Sequence, residues 1–175
     1  MTDTPRFHLA PAEALLRLEL WDVAAASRAR FTQLFGASLP AAGHAVALGP
    51  VRVIWCEPAA WMLRGPIADR SGLIARLTEV AGSDGAVTDI SAAAVRCALV
   101  GADWRILLTH GGVFDAEDPA FAPGCVAGTV VEHMAVRFDV IIADQVDAYV
   151  APSYAADLLG YWTAVAGGLD VRSAD

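Results

Sequence analysis

The chain has 175 residues and a mass of 18.3 kDa, enough to bury one substantial core or two small joined ones and too little for a long multidomain array. A formal charge of -8 and a pI near 4.8 give a surface that repels phosphate backbones, which argues against nucleic acid as a partner. All twelve basic residues are arginine, so Schiff-base lysine chemistry and the P-loop lysine are excluded.

The hydrophobic fraction of 56% and mean hydropathy of +0.47 owe much to alanine, which buries little area per residue. The longest uncharged stretch, Phe31 to Val51, is interrupted by Gly36, Pro40, Gly43, Gly49 and Pro50, so it cannot form one spanning helix and no membrane association is expected. The first residues, MTDTPRFHLAPAEALL, lack a basic leader followed by an unbroken apolar run, and a soluble cytoplasmic protein is expected. Cys56, Cys97 and Cys125 are scattered and show no CxxC spacing, which suits a reducing compartment.

Residues 1–14 read as a flexible N-terminal segment. Leu16 to Trp21 alternates as a strand, Asp22 is placed to cap a helix running to about Phe35, and Gly36 is its stop. The segment SLPAAGHAVALGP reads as a loop before two hairpin strands, VRVIWCEP and WMLRG. Pro66 opens a helix in which Leu73, Ile74, Leu77 and Val80 recur at helical spacing before Gly82, and AVTDI follows as a strand. The order is β-α-β-β-α-β, a split βαβ or ferredoxin-like half over residues 15–91.

A second half, residues 92–175, starts with a strand from Ala93 to Val100 and a helix over Asp103 to His110, followed by an irregular acidic loop through Gly124. AGTVVEHMAV, RFDVIIA and VDAYVA read as strands, with Asp144-Gln145 as the tight turn. Ser153 is placed to cap a last helix with an apolar stripe of Tyr154, Leu158, Trp162 and Val165, stopped by Gly167-Gly168. The fold class is α+β: two fused ferredoxin-like sublayers, each sheet covered by helices on one face and both joined into one globular unit.

No arrangement of residues along the chain marks an active site. Glu132-His133 is a neighbouring carboxylate-imidazole pair, yet within a strand adjacent side chains point to opposite faces. His8, His44, His110 and His133 show no metal-ligand spacing. Cys125 has only acidic or apolar neighbours in sequence and reads as structural. Asp115, Glu117 and Asp118 read as a solvated acidic loop without the turn that a hard-cation site needs. No catalytic, cofactor-binding or metal residue is therefore assigned. Of the five tryptophans, Trp61 and Trp162 are the candidates for a partner surface, because tryptophan and arginine dominate interfaces.

Three segments carry a resemblance. VRVIWCEPAAWMLRG ends in a Pro-x-x-Trp-hydrophobic pattern, VTDISAAAVRCALVGADWRILL holds Asp-x-Ser, Gly-x-Asp and Leu-Leu, and SYAADLLGYW is a closing Ser-Tyr-Ala helix. In this order and spacing they resemble the gamma subunit of heterotetrameric sarcosine oxidase, within the folate-binding-domain superfamily that includes aminomethyltransferase-like folds. Pro152 stands where that family's pattern has arginine. The resemblance implies a non-catalytic accessory subunit whose larger partner subunits carry FAD, FMN and NAD, oxidise sarcosine and pass the one-carbon unit to tetrahydrofolate. It implies no cofactor bound by this chain. A freestanding folate-binding or aminomethyltransferase-like protein is the alternative.

Overall fold

The computed structural model describes residues 5–21, 25–112 and 114–172, with side chains to 168. In chain order the elements are β1 (Arg6–Leu9), β2 (Ala14–Leu20), α1 (Ala25–Phe35), β3 (Ala45–Leu48), β4 (Val51–Glu57), β5 (Ala60–Gly65), α2 (Arg70–Ala81), β6 (Gly85–Asp89), β7 (Val95–Val100), α3 (Trp104–Thr109), β8 (Val126–Val131), β9 (Met134–Ile142), β10 (Gln145–Val150) and α4 (Ala155–Arg172). They divide into a continuous unit, Pro11–Ala92, and a split unit that joins Met1–Ala10 to Ala93–Asp175. Each holds a five-stranded antiparallel sheet and its own core.

In the continuous unit the strand order is β3-β4-β5-β2-β6. Strand alternation turns Leu16, Leu18 and Leu20 of β2, Val51 and Val53 of β4, and Trp61 and Leu63 of β5 to one face, where Phe31, Leu73, Leu77 and Val80 from α1 and α2 cover them. Burying a leucine such as Leu63 contributes about 1.5–3 kcal/mol. The two antiparallel helices also satisfy each other's terminal carbonyls. The Arg30 guanidinium donates to Val80 O at 3.0 Å, and Arg76 donates to Leu34 O at 2.6 Å while stacking on Phe35 at 4.0 Å. The stretch expected to be a loop contains β3, whose pairing with β4 supplies the fifth strand. Asp22, the expected helix cap, lies outside the described residues.

The split unit has the order β1-β7-β10-β9-β8. Here Cys97 and Leu99, Val136, Phe138 and Val140, and Val146, Ala148 and Val150 face Trp104, Leu107 and Leu108 of α3 and Leu158 and Trp162 of α4. Arg6–Leu9, expected within a flexible segment, is instead an edge strand paired with Cys97–Val100, and its Phe7 ring lies 6.1 Å from that of Trp162.

Three further expectations for this half are corrected. AGTVVEHMAV is two strands and not one, because Glu132 takes φ 55 and turns the chain at Glu132-His133. Gly167-Gly168 do not stop α4, which extends to Arg172. A 3-10 turn over Pro152–Tyr154 precedes α4 with no side-chain cap, so Ser153 is not the N-cap, and proline's fixed φ starts the turn. Tyr154 consequently leaves the buried stripe, which is Ala155, Leu158, Trp162 and Ala166.

Candidate functional site

The residues that carry the resemblance are fastenings of the fold. In the continuous unit, Ser91 Oγ accepts from Leu15 N at 3.0 Å, and Asp89 Oδ1 accepts from both Ser91 N and Ser91 Oγ, at 3.0 and 2.7 Å. Arg70 forms an ion pair with the same carboxylate. These bonds close β6 against β2 and hold the Asp89 carboxyl below the usual range, first through the hydrogen bonds from Ser91 and then through Arg70.

In the split unit the Gly-x-Asp turn works in the same way. Gly101 N donates to Asp144 O at 2.9 Å and the Trp104 indole donates to Ala143 O at 3.0 Å, tying the end of β7 and the start of α3 to the β9–β10 turn. The acidic loop that follows is pinned by Arg105, which donates to Ala116 O and Phe121 O and lies 4.4 Å from the Trp104 ring. Asp115 and Asp118 accept from Glu117 N and Ala120 N. Each of those carboxylates thus braces its own turn, and among the described residues no cluster of histidine, cysteine or carboxylate side chains could hold a metal.

Of the residues singled out from sequence, Trp61 and Trp162 are not surface groups. They are 2% and 0% exposed. The Trp61 indole donates to Pro40 O at 3.0 Å, and Trp162 sits against Phe7 and Phe138. Each large ring fills its unit's core, where it removes more apolar area from water than any surface position would. Trp21, at the end of β2, is the exposed one at 67%. Cys97 is buried, and burial pushes its thiol up to about 11, away from reactivity. Cys125 donates weakly to Ala120 O. His44 and His110 bond neighbouring carbonyls through Nδ1.

Glu132 and His133 stand at the tip of the β8–β9 hairpin. His133 meets Tyr154 edge-to-face, with ring centroids 5.8 Å apart. Tyr161 donates to the Glu132 carboxylate, and burial followed by that charge raises the phenol. Gly111 (φ 71) allows Tyr161 to come this close, since a Cβ there would lie 2.4 Å from the phenol oxygen. Val130 and Tyr154 are exposed beside this tip.

Periodicity did not reveal the charged helix-free face of the split unit's sheet. Asp139 and Asp147 are directly opposed across β9 and β10 and fully buried. Two carboxyl groups so placed are costly to bury unless each finds a partner. Arg96, on the same face of β7, donates to both oxygens of Asp147 at 3.2 and 3.3 Å. The alternation in RFDVII and QVDAYV was the available signal. In the continuous unit a groove of about 350 Å³ lies between Pro50 and Val51 on one side and Pro66, Leu73 and Arg76 on the other.

The sequence matches the sarcosine oxidase, gamma subunit family over residues 21–167. The fold is similar to a chain of the heterotetrameric sarcosine oxidase from Corynebacterium sp. U-96 in complex with pyrrole 2-carboxylate. The TM-score is 0.84 at 17% identity, covering 94% of this chain and 84% of that one. It is also similar to glycine cleavage system aminomethyltransferase T from Bartonella henselae, with TM-score 0.66 at 13% identity over 90% of this chain and 45% of that one. The regulatory subunit of aspartate kinase from Thermus thermophilus gives TM-score 0.50 at 10% identity, covering 90% and 95%. No curated protein sequence matches. Among the described residues no helix is long and apolar enough to cross a membrane. The fold is thus α+β and shared with the sarcosine oxidase chain and the aminomethyltransferase, and the chain belongs to the sarcosine oxidase gamma subunit family.

Proposed function

We propose that this chain is the accessory gamma-type subunit of a heterotetrameric sarcosine oxidase in the cytoplasm, contributing contact area and shape while its larger partners carry out the oxidation. The observation that carries this reading is the family match along residues 21–167. Its physical support is the use of the family-like residues: Asp89, Ser91 and Gly101 tie strands and turns together inside their own unit. In this reading FAD, FMN and NAD reside in the larger subunits, tetrahydrofolate accepts the one-carbon unit there, and this chain binds none of them.

Co-expression with the larger subunits tests it. The chain is expected to copurify with them stoichiometrically, and omitting it is expected to lower the yield of assembled, active oxidase. Unchanged assembly and activity without it would overturn the reading. The likeness to an aminomethyltransferase favours a freestanding folate-binding protein as the second reading. Calorimetry of the isolated chain with tetrahydrofolate separates the two, since saturable binding supports the second.

A further inference from the structure

We infer that the outer edge of β8, together with the β8–β9 hairpin tip, takes up an extended segment of a larger subunit as a sixth strand. This rests on the gamma-subunit reading and names the surface that reading requires. β8 ends the split unit's sheet, and its ladder partner is β9, in unbroken register from Val126↔Asp139 to Val131↔Met134. On its other side, among the described residues, only the hairpin end is engaged, by the bridge Gly112↔Val131 and the bond from Glu132 N to Gly111 O. Every second main-chain pair along an edge strand points outward and offers a template for another strand.

The usual protections of such an edge are missing. VAGTVV carries no charge, no proline and no bulge. The other edges differ. β1 has four residues with Arg6 and His8 among them, β6 ends in Asp89 paired to Arg70, and β3 has four residues with no exposed large apolar side chain. Val130 on β8 and Tyr154, which meets His133 at the hairpin tip, are each 39% exposed, and tyrosine is an interface anchor of low entropic cost.

The tip is also preorganised. Glu132 holds a left-handed conformation that costs a residue with a Cβ about 1 kcal/mol or more, stabilised by Gly111 O and the Tyr161 hydroxyl. A rigid tip lowers the ordering cost of docking. The occupant is a larger subunit and not a second copy, because two chains of charge -8 repel. The acidic Glu132 at the tip suits a segment with alternating apolar residues and a flanking arginine or lysine.

The experiment co-expresses the full chain carrying Gly128→Lys and Val130→Lys with the larger subunits. Gly128 has open space where a Cβ would stand, so the isolated variant is expected to melt as wild type while copurification falls on the order of tenfold. Ile142→Lys, at another exposed apolar position, is expected to assemble normally. Hydrogen exchange of wild type is expected to show new protection of residues 126–130 in the complex. Normal assembly of the double variant, or no added protection at β8, overturns the inference and leaves the gamma-subunit reading standing. A wild-type chain that fails to copurify overturns both. A wild-type dimer converted to monomer by the double variant overturns the choice of occupant.

Discussion

The two units share one topology and close it differently. The continuous unit runs β2-α1-β3-β4-β5-α2-β6 and arranges its strands β3-β4-β5-β2-β6; the split unit runs β7-α3-β8-β9-β10-α4 and arranges β8-β9-β10-β7-β1. The place that β6 takes after α2 is filled in the split unit by β1, from the opposite end of the chain. A ferredoxin-like sheet needs a strand beside its first one, and the geometry accepts it from either direction of the sequence. The second difference is chemical. The split unit buries Asp139 and Asp147 on the face of its sheet away from the helices, a costly arrangement unless paired.

Removing the N-terminal strand breaks the comparison most directly. Deleting residues 1–9 loses the β1 ladder and the Phe7 contact with Trp162, and the split unit is expected to lose about 3–5 kcal/mol. Hydrogen exchange should show lost protection in β7 while β2 and β5 keep theirs; equal loss in both would refute the assignment of β1 to one unit. The buried ion pair comes next. Asp147→Ala is expected to cost about 3 kcal/mol in urea unfolding because it breaks the Arg96–Asp147 ion pair in a buried setting. Replacing both residues with apolar ones of similar size should restore much of that loss, and an additive double variant would show that the two do not act as a pair.

The continuous unit is most sensitive where its strands approach closest. A Cβ at Gly85 would lie 2.3 Å from Glu19 O, so Gly85→Ala is expected to cost about 1–3 kcal/mol as β6 moves off β2. A thermal melt equal to wild type would contradict the packing. The smallest effect concerns acid. The folded-state Asp89 carboxyl lies below its ordinary value, so its contribution is fully present above the unfolded value near 4 and is lost as pH falls through the lower, folded value. Asp89→Asn should therefore reduce stability at pH 7, and the gap to wild type should narrow as pH falls below the ordinary carboxylate value. A gap that is independent of pH would remove the carboxylate from that account.

Leu73, Leu77 and Val80 and the alternation in VRVIWCE were readable because each element's own period exposes them. β3 was not, since AVAL between glycines has no alternation and becomes a strand only by pairing with β4. The Glu132 turn was hidden for a related reason: a non-glycine residue at φ 55 carries no local signal, and Gly111 and Tyr161 supply its partners from elsewhere. Trp61 and Trp162 show the limit for surfaces. Their composition suits an interface, but exposure is a property of what packs around a ring and not of the ring.

By itself the sequence determined the α+β class, the order of most elements and the family likeness, because periodicity, turn chemistry and short motifs are local properties of the chain. Only the tertiary structure decided that the first strand completes the last sheet, that Asp147 and Arg96 pair in the interior, and that β8 is left as an edge. Those outcomes depend on contacts between residues as far apart as Phe7 and Trp162, and no local pattern encodes which distant partner a strand or a charge will meet.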